Sequence, residues 1–429
     1  MVMAMQNPVT EKQQSGAAGK AVPAGFKLTE VGVIPEDWEV CSLGELSISI
    51  VSGKTCTQGN GEYPLYGSTG LIGTCEFGEY EGNALLIARV GANAGRLNFV
   101  TGEYGVSDNT LIVNIKPKYN ITFFYYILLQ KKLNTLIFGS GQPLITSSLL
   151  KKIIIAVPCN NNEQTSIADA LTEVDELITK LERFIIKKQA IKTATMQQLL
   201  TGKTRLPQFS LREDGTIKGY KKSELGEIPE DWSIFSIGDI ADVKTGPFGS
   251  SLHEKDYVLD GTPIITVEHL GELGITYQNL PMVSDKDKNR LRPYQLNEGD
   301  IVFSRVGSVD RNGLICKDQS GWLFSGRLLR VRLKNALHNP AYLSFQFHSA
   351  PFKKRVIEVA VGQTMPSLNT TILKGIAVIM PEYEEQTAIA AILSDMDQDI
   401  QTLQQRLEKN RQLKQGMMQA LLTGKTRLI

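Results

Sequence analysis

The sequence predicts an α+β protein: two mixed α/β domains separated by an antiparallel coiled coil of two long helices. Three observations predict this fold. The chain contains an internal repeat, each copy ends in a long segment with helical spacing of apolar residues, and the residues between have the Val, Ile, Thr and Tyr runs of short strands. Two copies that present the same surfaces can pair with pseudo-twofold symmetry.

The internal repeat gives the chain its organisation. The motif Ile-Pro-Glu-Asp-Trp occurs at residues 34–38 and again at 228–232, an offset of 228 − 34 = 194. A longer segment opens with Glu-Gln-Thr, closes with Leu-Leu-Thr-Gly-Lys-Thr-Arg-Leu, and occurs at 163–206 and 385–428, an offset of 385 − 163 = 222. Because the offsets differ by 222 − 194 = 28 residues, each copy has fixed ends and a middle of different length.

The long segment that ends each copy has the apolar spacing of a coiled-coil helix. Apolar residues recur at alternating steps of four and three from Ile167 to Ile185, and again from Ile389 to Leu407. These are the a and d positions of a coiled coil. Each segment ends at Thr-Gly, where glycine can adopt the left-handed conformation that closes a helix. The two stripes predict an antiparallel helix pair about 55 Å long, at about 1.5 Å per residue.

The variable middles, roughly 39–157 and 233–380, are β-rich inserts with frequent Gly, Asn, Asp and Pro. Both contain Arg-Val-Gly after an apolar run, at Arg89 and Arg305. A single arginine after a strand more often forms a surface ion pair, but its recurrence in two divergent inserts favours a shared role in binding. Arginine and glutamine can contact guanine and adenine, and small polar residues can contact phosphates. The candidate DNA-binding residues are Lys54, Tyr66, Ser68, Thr69, Arg89, Asn93, Arg96 and Gln142 in the first insert, and Lys244, Ser250, Ser251, Arg305, Arg311 and Gln363 in the second.

Composition excludes some classes of protein. Lys plus Arg (46) nearly equals Asp plus Glu (45), which argues against binding nucleic acid by bulk charge alone. The five cysteines and four histidines have no metal-ligand spacing, so no metal site is expected. Residues 1–27 have the composition of a flexible leader, and neither a secretory signal nor a membrane-spanning apolar run is visible. The sequence therefore predicts a cytoplasmic protein.

Two motifs that suggest an enzyme are better explained as structure. Gly-Lys-Thr at Gly53, Gly202 and Gly424 lacks the glycine five residues earlier that a P-loop needs. Asn-Pro-Ala-Tyr at 339–342 resembles the Asn-Pro-Pro-Tyr loop of amino-methyltransferases, but no glycine-rich cofactor loop precedes it, so a helix start is favoured. No carboxylate cluster resembles a nuclease site. The sequence predicts neither catalytic residues nor a cofactor.

Together the motifs resemble those of type I restriction-modification specificity subunits. The resemblance rests on Ile-Pro-Glu-Asp-Trp before each insert, Thr-Gly-Pro-Phe-Gly-Ser-Ser-Leu at 245–252, and the motifs that open and close each long helix. It covers nearly the whole chain after the leader and follows the family's order of segments. It implies a leader at 1–27, a target recognition domain at 28–158, a conserved helix at 159–202, a linker at 203–221, a second target recognition domain at 222–381 and a second conserved helix at 382–429.

The resemblance also implies what the chain does. Each target recognition domain is expected to bind one half of an asymmetric bipartite site in double-stranded DNA, while the helices set the spacing. The implied partners are two methyltransferase (modification) subunits, which use S-adenosylmethionine, and restriction subunits, which translocate DNA with ATP; no membrane is implied. From the residues alone, a non-catalytic coiled-coil scaffold that displays two protein-binding domains stays open as an alternative, as does an enzyme in its own right.

Overall fold

Two compact units make up the chain. A computed structural model describes residues 22–54, 59–136, 144–247, 252, 256–271, 274–362 and 366–428. The first unit contains residues 1–180 and 408–429, and the second unit contains residues 181–407. Each unit therefore combines one β-rich insert with part of each long helical segment. The division differs from the sequence repeat, because the last residues of the second copy belong to the first unit.

Short strands dominate the first copy of the repeat before its long helix. In chain order its elements are β1 (Phe26–Thr29), β2 (Gly32–Pro35), β3 (Trp38–Ser42), α1 (Leu43–Leu46), β4 (Ser47–Ser52), β5 (Tyr63–Gly67), β6 (Gly70–Cys75), β7 (Tyr80–Glu81), β8 (Ala84–Ala88), β9 (Leu97–Val100), β10 (Glu103–Val106), β11 (Thr110–Ile115), α2 (Ile121–Gln130), α3 (Ser147–Lys151), β12 (Ile154–Pro158) and α4 (Asn161–Leu199).

The second copy adds strands and helices within its longer insert. In chain order its elements are β13 (Tyr220–Ser223), β14 (Gly226–Pro229), β15 (Ser233–Ser236), α5 (Ile237–Ile240), β16 (Ala241–Thr245), β17 (Tyr257–Val258), β18 (Thr262–Ile265), β19 (Leu270–Gly271), β20 (Gly274–Ile275), β21 (Met282–Val283), α6 (Asp285–Arg290), β22 (Ile301–Ser304), β23 (Asn312–Leu314), β24 (Leu323–Phe324), β25 (Leu328–Leu333), α7 (Pro340–His348), α8 (Ala350–Val359), α9 (Thr370–Gly375), β26 (Ala377–Met380) and α10 (Tyr383–Leu421).

The two inserts share one sheet topology. A four-stranded antiparallel sheet has the order β4-β11-β8-β9 in the first unit and β16-β25-β22-β23 in the second. A second sheet in each unit contains one parallel pair, β5 with β10 or β18 with β24. The repeat is therefore a repeat of fold as well as of sequence, and the predicted mixed helix and sheet class is confirmed.

The central strands of these sheets are buried on both faces. All five residues of β8 are buried. Leu85 and Ile87 pack into a core shared with α2 and α4, whereas Ala84 and Leu86 pack against β10. Because successive side chains of a strand point to opposite faces, one apolar run fills two cores. β22 does the same, with Phe303 facing the helices. This double burial holds each central strand between two cores.

The long helices α4 and α10 pack against each other as an antiparallel pair, as the a and d spacing predicts. In the second unit Lys188 Nζ lies 3.0 Å from Asp399 Oδ2, and Lys192 pairs with Asp397. The partner's number falls as the residue number rises, which is antiparallel pairing. In the first unit a third pair joins the two helices, between Lys414 and Asp175 at 2.6 Å. Most of the a and d side chains are buried, among them Leu181, Ile185, Ile400 and Leu407, and the others are partly buried.

The residue that stops each long helix is a left-handed glycine. Gly202 has φ +70° and Gly424 has φ +69°, which confirms the predicted helix ends. Each glycine packs against an Ile-Pro-Glu-Asp-Trp motif. A Cβ on Gly202 would lie 2.4 Å from Pro229 Cγ, and a Cβ on Gly424 would lie 2.4 Å from Pro35 Cδ. The tail of α4 therefore covers the motif of the second copy, and the tail of α10 covers the motif of the first.

The charged residues of these motifs form one cluster in each unit. In the second unit Arg205 donates to Asp231 and to Glu385, and the buried Trp232 donates from Nε1 to Glu385 Oε2 at 3.0 Å. Lys218 also donates to Asp231. Burial opposes ionisation of Asp231, but its bonds to Arg205 and Lys218 outweigh this and lower its pKa to about 2. In the first unit Arg427, Asp37, Glu163 and Trp38 repeat the arrangement.

Candidate nucleic-acid interface

In the first unit Arg-Val-Gly directly follows β8, an interior strand of the four-stranded sheet, and so lies at the edge of the sheet that is formed by strand ends. The N–H of Arg89 donates to the carbonyl of Asn109 at 2.9 Å, and the N–H of Ala88 donates to the carbonyl of Arg96 at 2.9 Å. The carbonyl of Arg89 accepts from Ile145 at 2.8 Å. Backbone hydrogen bonds therefore fix three polar residues side by side. We call Arg89, Arg96 and Asn109 the first edge triplet.

The second unit has the same backbone arrangement. The N–H of Arg305 donates to the carbonyl of Arg327 at 2.9 Å, and the N–H of Ser304 donates to the carbonyl of Arg311 at 2.8 Å. The carbonyl of Arg305 accepts from Leu368 at 2.8 Å. Each residue thus has a counterpart in the first unit at an equivalent backbone position. We call Arg305, Arg311 and Arg327 the second edge triplet.

Other candidate residues of the first insert lie at the same edge. The N–H of Lys54, which follows β4, donates to the carbonyl of Val106 at 3.0 Å, and its side chain is exposed. The carbonyl of Tyr66 accepts from Ser107 at 2.9 Å. The ring of Tyr66 packs edge-on against Tyr104, with 6.2 Å between centroids. Since Ser107 is two residues before Asn109, both Lys54 and Tyr66 lie beside the first edge triplet.

The turn between β5 and β6 approaches this triplet from another direction. It consists of Ser68, which is partly buried, and Thr69, which is exposed. A Cβ on Gly70 would lie 3.7 Å from Arg96 Nη2, so the exposed guanidinium lies beside the turn. Asn93 accepts the N–H of Arg96 on its carbonyl at 2.9 Å. The structure therefore brings the predicted small polar residues and Arg96 together.

Among the residues that the structure describes, the Arg89 side chain forms no ion pair. Its Nε is buried, and among the residues that the structure describes it has no hydrogen-bond partner. A buried donor without a partner costs about 1–3 kcal/mol. This observation removes the commonest alternative explanation for an arginine that follows a strand, which is a surface ion pair.

Arg305 differs from a free base-reading arginine. Its Nε donates to the carbonyl of Leu368 at 3.3 Å, and its Nη1 donates to the carbonyl of Gly326 at 3.3 Å. The guanidinium therefore joins two loops at the sheet edge. Gly326 directly precedes Arg327, so Arg305 also fixes the backbone of its neighbour in the triplet.

Lys244 is likewise engaged within the second unit. Its Nζ donates to the carbonyl of Pro293 at 2.9 Å and lies 4.7 Å from the centroid of the Tyr294 ring. The ammonium thus stabilises the segment after α6. The sequence predicts Lys244 as a DNA-binding residue, and only the fold shows the two neighbours that hold its ammonium.

Two further arginines of the second sheet are held by carboxylates. Arg330 Nη2 lies 2.7 Å from Asp242 Oδ2, and Arg332 Nη2 lies 2.6 Å from Asp300 Oδ2. The hydrogen bonds that Arg332 donates to the Asp300 carboxylate raise the pKa of its guanidinium above the usual value. Both arginines therefore stabilise the sheet.

Sequence reasoning missed one member of each triplet. Asn109 and Arg327 are both exposed, and each is the last residue before a strand. The available signal was small: Ser-Asp-Asn at 107–109 and Ser-Gly-Arg at 325–327 share only the serine. Their equivalence is visible in the hydrogen bonds to Arg89 and Arg305.

Four candidate residues lie outside the described part of the chain: Gln142, Ser250, Ser251 and Gln363. The residues that flank two of them are described. Val90 forms a β-bridge with Leu144, and Val306 forms one with Ser367. In each unit the segment next to the predicted glutamine therefore adjoins the Arg-Val-Gly motif.

The described residues offer little that resembles a catalytic centre. Asn339 Oδ1 accepts from the N–H groups of Ala341 and Tyr342 at 2.9 and 3.1 Å, so Asn-Pro-Ala-Tyr is the start of α7, as predicted. Within the described ranges no three His, Cys, Asp or Glu side chains meet as a metal site requires. None of the described helices is long and apolar enough to cross a membrane.

Comparison with known proteins gives one family. The sequence model of the type I restriction modification DNA specificity domain matches residues 35–192 and 229–412. The type I restriction enzyme MjaVIII specificity subunit of Methanocaldococcus jannaschii is 26% identical over 421 residues, 92% of this chain and 94% of the relative. The EcoDI specificity subunit of Escherichia coli is 29% identical over 230 residues, 49% of this chain and 50% of the relative.

A solved structure shares the fold. The crystal structure of the type I restriction-modification S subunit from M. genitalium matches with a TM-score of 0.63 and 17% identity, and covers 92% of this chain and 97% of that chain. The family's domain occurs twice and spans more than half of the residues. The chain therefore belongs to the family of type I restriction-modification DNA specificity subunits.

Proposed function

We propose that the two units bind different halves of one asymmetric, bipartite site in double-stranded DNA. The observation that carries this proposal is the edge triplet. Both units place polar or cationic side chains at three equivalent backbone positions beside a sheet edge. The inserts around the triplets differ in sequence and length, so their half-sites differ. A chain with two unlike readers selects a non-palindromic site, unlike a symmetric dimer.

The side chains at each edge suit distinct parts of the duplex. In this proposal Lys54, Ser68 and Thr69, which are exposed or partly buried, contact phosphates and so set the position of the first unit on the DNA. Arg89, Arg96 and Asn109 supply the groups that can pair with base edges in the major groove. Since the whole chain is nearly neutral, binding depends on these local groups rather than on bulk charge. The other candidate residues keep their proposed roles in binding DNA. Arg305 and Lys244 act indirectly, because each holds a loop of the second unit in place.

The paired helices provide spacing. A 39-residue helix is about 58 Å long at about 1.5 Å per residue, which corresponds to roughly 17 base pairs at about 3.4 Å each. We propose that the helices set the distance between the half-sites and dock two methyltransferase subunits, to which restriction subunits are added. In this assembly the chain binds no cofactor and catalyses no step, and the partner subunits carry both reactions.

The test is selection of DNA by the full-length chain, co-purified with its co-encoded partners, from a library of random duplexes. We expect enrichment of one sequence with two fixed parts and an unspecified spacer of constant length. Affinity for that duplex should fall steeply with salt, with a slope of log K on log salt near −0.9 for each phosphate neutralised.

Two outcomes would contradict the proposal. Binding without any enriched sequence would leave only nonspecific contacts with phosphates. Absence of salt-dependent DNA binding would favour the alternative, a coiled-coil scaffold whose two inserts bind proteins.

A further inference from the structure

We infer that the third position of the edge triplet, Asn109 in the first unit and Arg327 in the second, determines which base pair each unit prefers at one place in its half-site. This inference rests on the proposed function and adds a specificity residue to it. The two side chains start from the same backbone position, because Asn109 and Arg327 each accept the N–H of the arginine that follows the central strand, both at 2.9 Å. The two units therefore present different side chains from equivalent backbone positions.

Pairing within the second unit leaves few arginines available to DNA. Five arginines lie in or directly beside the strands of its four-stranded sheet: Arg305, Arg311, Arg327, Arg330 and Arg332. Arg330 and Arg332 are paired with aspartates, and Arg305 donates to two backbone carbonyls. Arg311 and Arg327 are exposed, and within the described ranges their guanidinium groups have neither a hydrogen bond nor an ion pair.

Arg305 acts on this position indirectly. Its Nη1 donates to the carbonyl of Gly326, the residue before Arg327, and the N–H of Arg305 donates to the carbonyl of Arg327 itself. Two hydrogen bonds from one residue thus fix both ends of the peptide that carries the Arg327 side chain. Arg305 is a positioning residue, whereas the exposed Arg327 contacts a base.

The two side chains read different bases. Asparagine can accept from adenine N6 and donate to adenine N7 as a bidentate pair, whereas arginine donates to guanine O6 and N7. Asn109 therefore favours an A·T pair in the first half-site, and Arg327 favours a G·C pair at the equivalent place in the second. Reach differs too, since arginine is the longer side chain, and exposure leaves room for either residue at both positions.

The test exchanges the two residues. Full-length chains that carry Asn109→Arg or Arg327→Asn, each with co-purified partner subunits, select duplexes from a random library. We expect Asn109→Arg to replace one A·T pair by G·C in the first half-site, and Arg327→Asn to do the reverse in the second. The change in preference should be roughly 5- to 150-fold, which corresponds to about 1–3 kcal/mol at about 1.4 kcal/mol per tenfold. The half-site of the unsubstituted unit should stay the same.

Arg212→Asn is the matched control. Arg212 is exposed but pairs with Glu230 at 2.7 Å, in the hairpin that precedes β13. Its guanidinium is held by Glu230 of the Ile-Pro-Glu-Asp-Trp motif and not by a residue of the edge triplet, so both half-sites should be unchanged. If an exchanged chain unfolds at a lower temperature, Arg327→Ala and Asn109→Ala replace it in the test. These variants should lose the preference at the same base pair without gaining a preference for another one.

The outcomes separate this inference from the proposed function. Unchanged half-sites in both exchanged chains, with selection intact, would overturn the inference and leave the proposed function standing. Equal weakening for every sequence would also overturn it, because it would make Asn109 and Arg327 phosphate contacts. Failure of the unsubstituted chain to select any sequence would overturn the proposed function itself.

Discussion

Arg427 donates two hydrogen bonds to the carboxylate of Asp37, a residue 390 positions earlier, at 2.9 and 2.7 Å. The bonds from Arg427 lower the pKa of Asp37. The same guanidinium donates to Glu163, which is 2% exposed and also accepts from Trp38 Nε1. Removing Arg427 would leave the Glu163 carboxylate buried without a counter-ion.

The first prediction is that Arg427→Ala and Arg205→Ala each lower the free energy of unfolding by about 3–5 kcal/mol, the usual effect of removing one partner from a buried ion pair. Urea denaturation of the full chain measures the effect. Lys180→Ala is the control, because Lys180 and Glu176 form an exposed pair with side-chain exposures of 72% and 62%. That change should cost less than about 0.5 kcal/mol. An Arg427→Ala chain as stable as the control would contradict this account.

The second prediction concerns the glycines that end the long helices. Gly202→Ala and Gly424→Ala should each destabilise by about 2 kcal/mol or more, because φ is near +70° and the new Cβ would meet a proline ring at 2.4 Å. Gly416→Ala in α10 is the opposite case, since nothing lies within 4 Å of its Cβ position. It should stabilise the helix by about 0.5–1 kcal/mol. In thermal unfolding, the melting temperatures of Gly202→Ala and Gly424→Ala should lie below that of the unsubstituted chain, and that of Gly416→Ala should lie above it.

The third prediction is a pH dependence from His348. Burial, then Lys353 and Lys192, lower the pKa of this imidazole to about 4 from its usual 6.5. As pH falls below 6.5 the unfolded chain takes up the proton first, so this contribution to stability is complete above pH 6.5 and is lost toward pH 4. Replacing His348 by Gln should reduce the fall in stability over that window by about 1–3 kcal/mol. Between pH 8 and 7 both chains should respond alike; equal falls below 6.5 would refute the assignment.

The fourth prediction separates two arginines that look alike in sequence. Arg89→Ala should weaken discrimination in the first half-site by about 1–3 kcal/mol while the melting temperature stays nearly constant. Arg305→Ala should affect the second half-site and also lower the melting temperature, because it frees the carbonyls of Gly326 and Leu368. Competition binding with single-substitution duplexes, together with thermal melts, measures both effects. Unchanged preference in both chains would show that the two arginines are structural.

The fifth prediction tests the spacing role. Insertion of one helical turn, about four residues, into α4 or α10 should lengthen the tolerated spacer by roughly two base pairs, since a turn rises about 5.4 Å. The half-sites should not change. A flexible insertion of equal length at Gly215, in the turn closed by the bond from Gly215 N–H to the Arg212 carbonyl, is the control and should leave the spacer unaltered. An unchanged spacer length in both chains with a helical insertion would show that the long helices do not set the distance between the half-sites.

Local sequence patterns predicted the long helices well, because a helix and its end depend on residues that are close together in the sequence. The a and d spacing from Ile167 and Ile389 gave both long helices, and Thr-Gly gave their ends at Gly202 and Gly424. The sequence did not show that the tail of α10 packs on the Ile-Pro-Glu-Asp-Trp motif of the first copy. This packing depends on contacts across large separations, such as 264 positions between Arg427 and Glu163, for which a single sequence has no signal.

The candidate site was predictable as a region but not residue by residue. Arg89 and Arg305 both begin an Arg-Val-Gly motif, but their guanidinium groups have different surroundings. That of Arg305 donates to the carbonyls of Gly326 and Leu368, whereas among the described residues no equivalent bond holds that of Arg89. Such differences arise from which loops pack nearby, and spacing along the chain cannot reveal them.

The tail of α10 has a consequence for the order of folding. During synthesis the strands of the first unit leave the ribosome early, yet Leu421 and Leu422, which complete their core, follow more than 250 residues after β12. Until then Trp38 lacks the chain that covers it at Gly424, and Glu163 lacks its arginine. The first unit is therefore synthesised first but completed last. On the nascent chain its apolar surface stays exposed until the second unit has been translated.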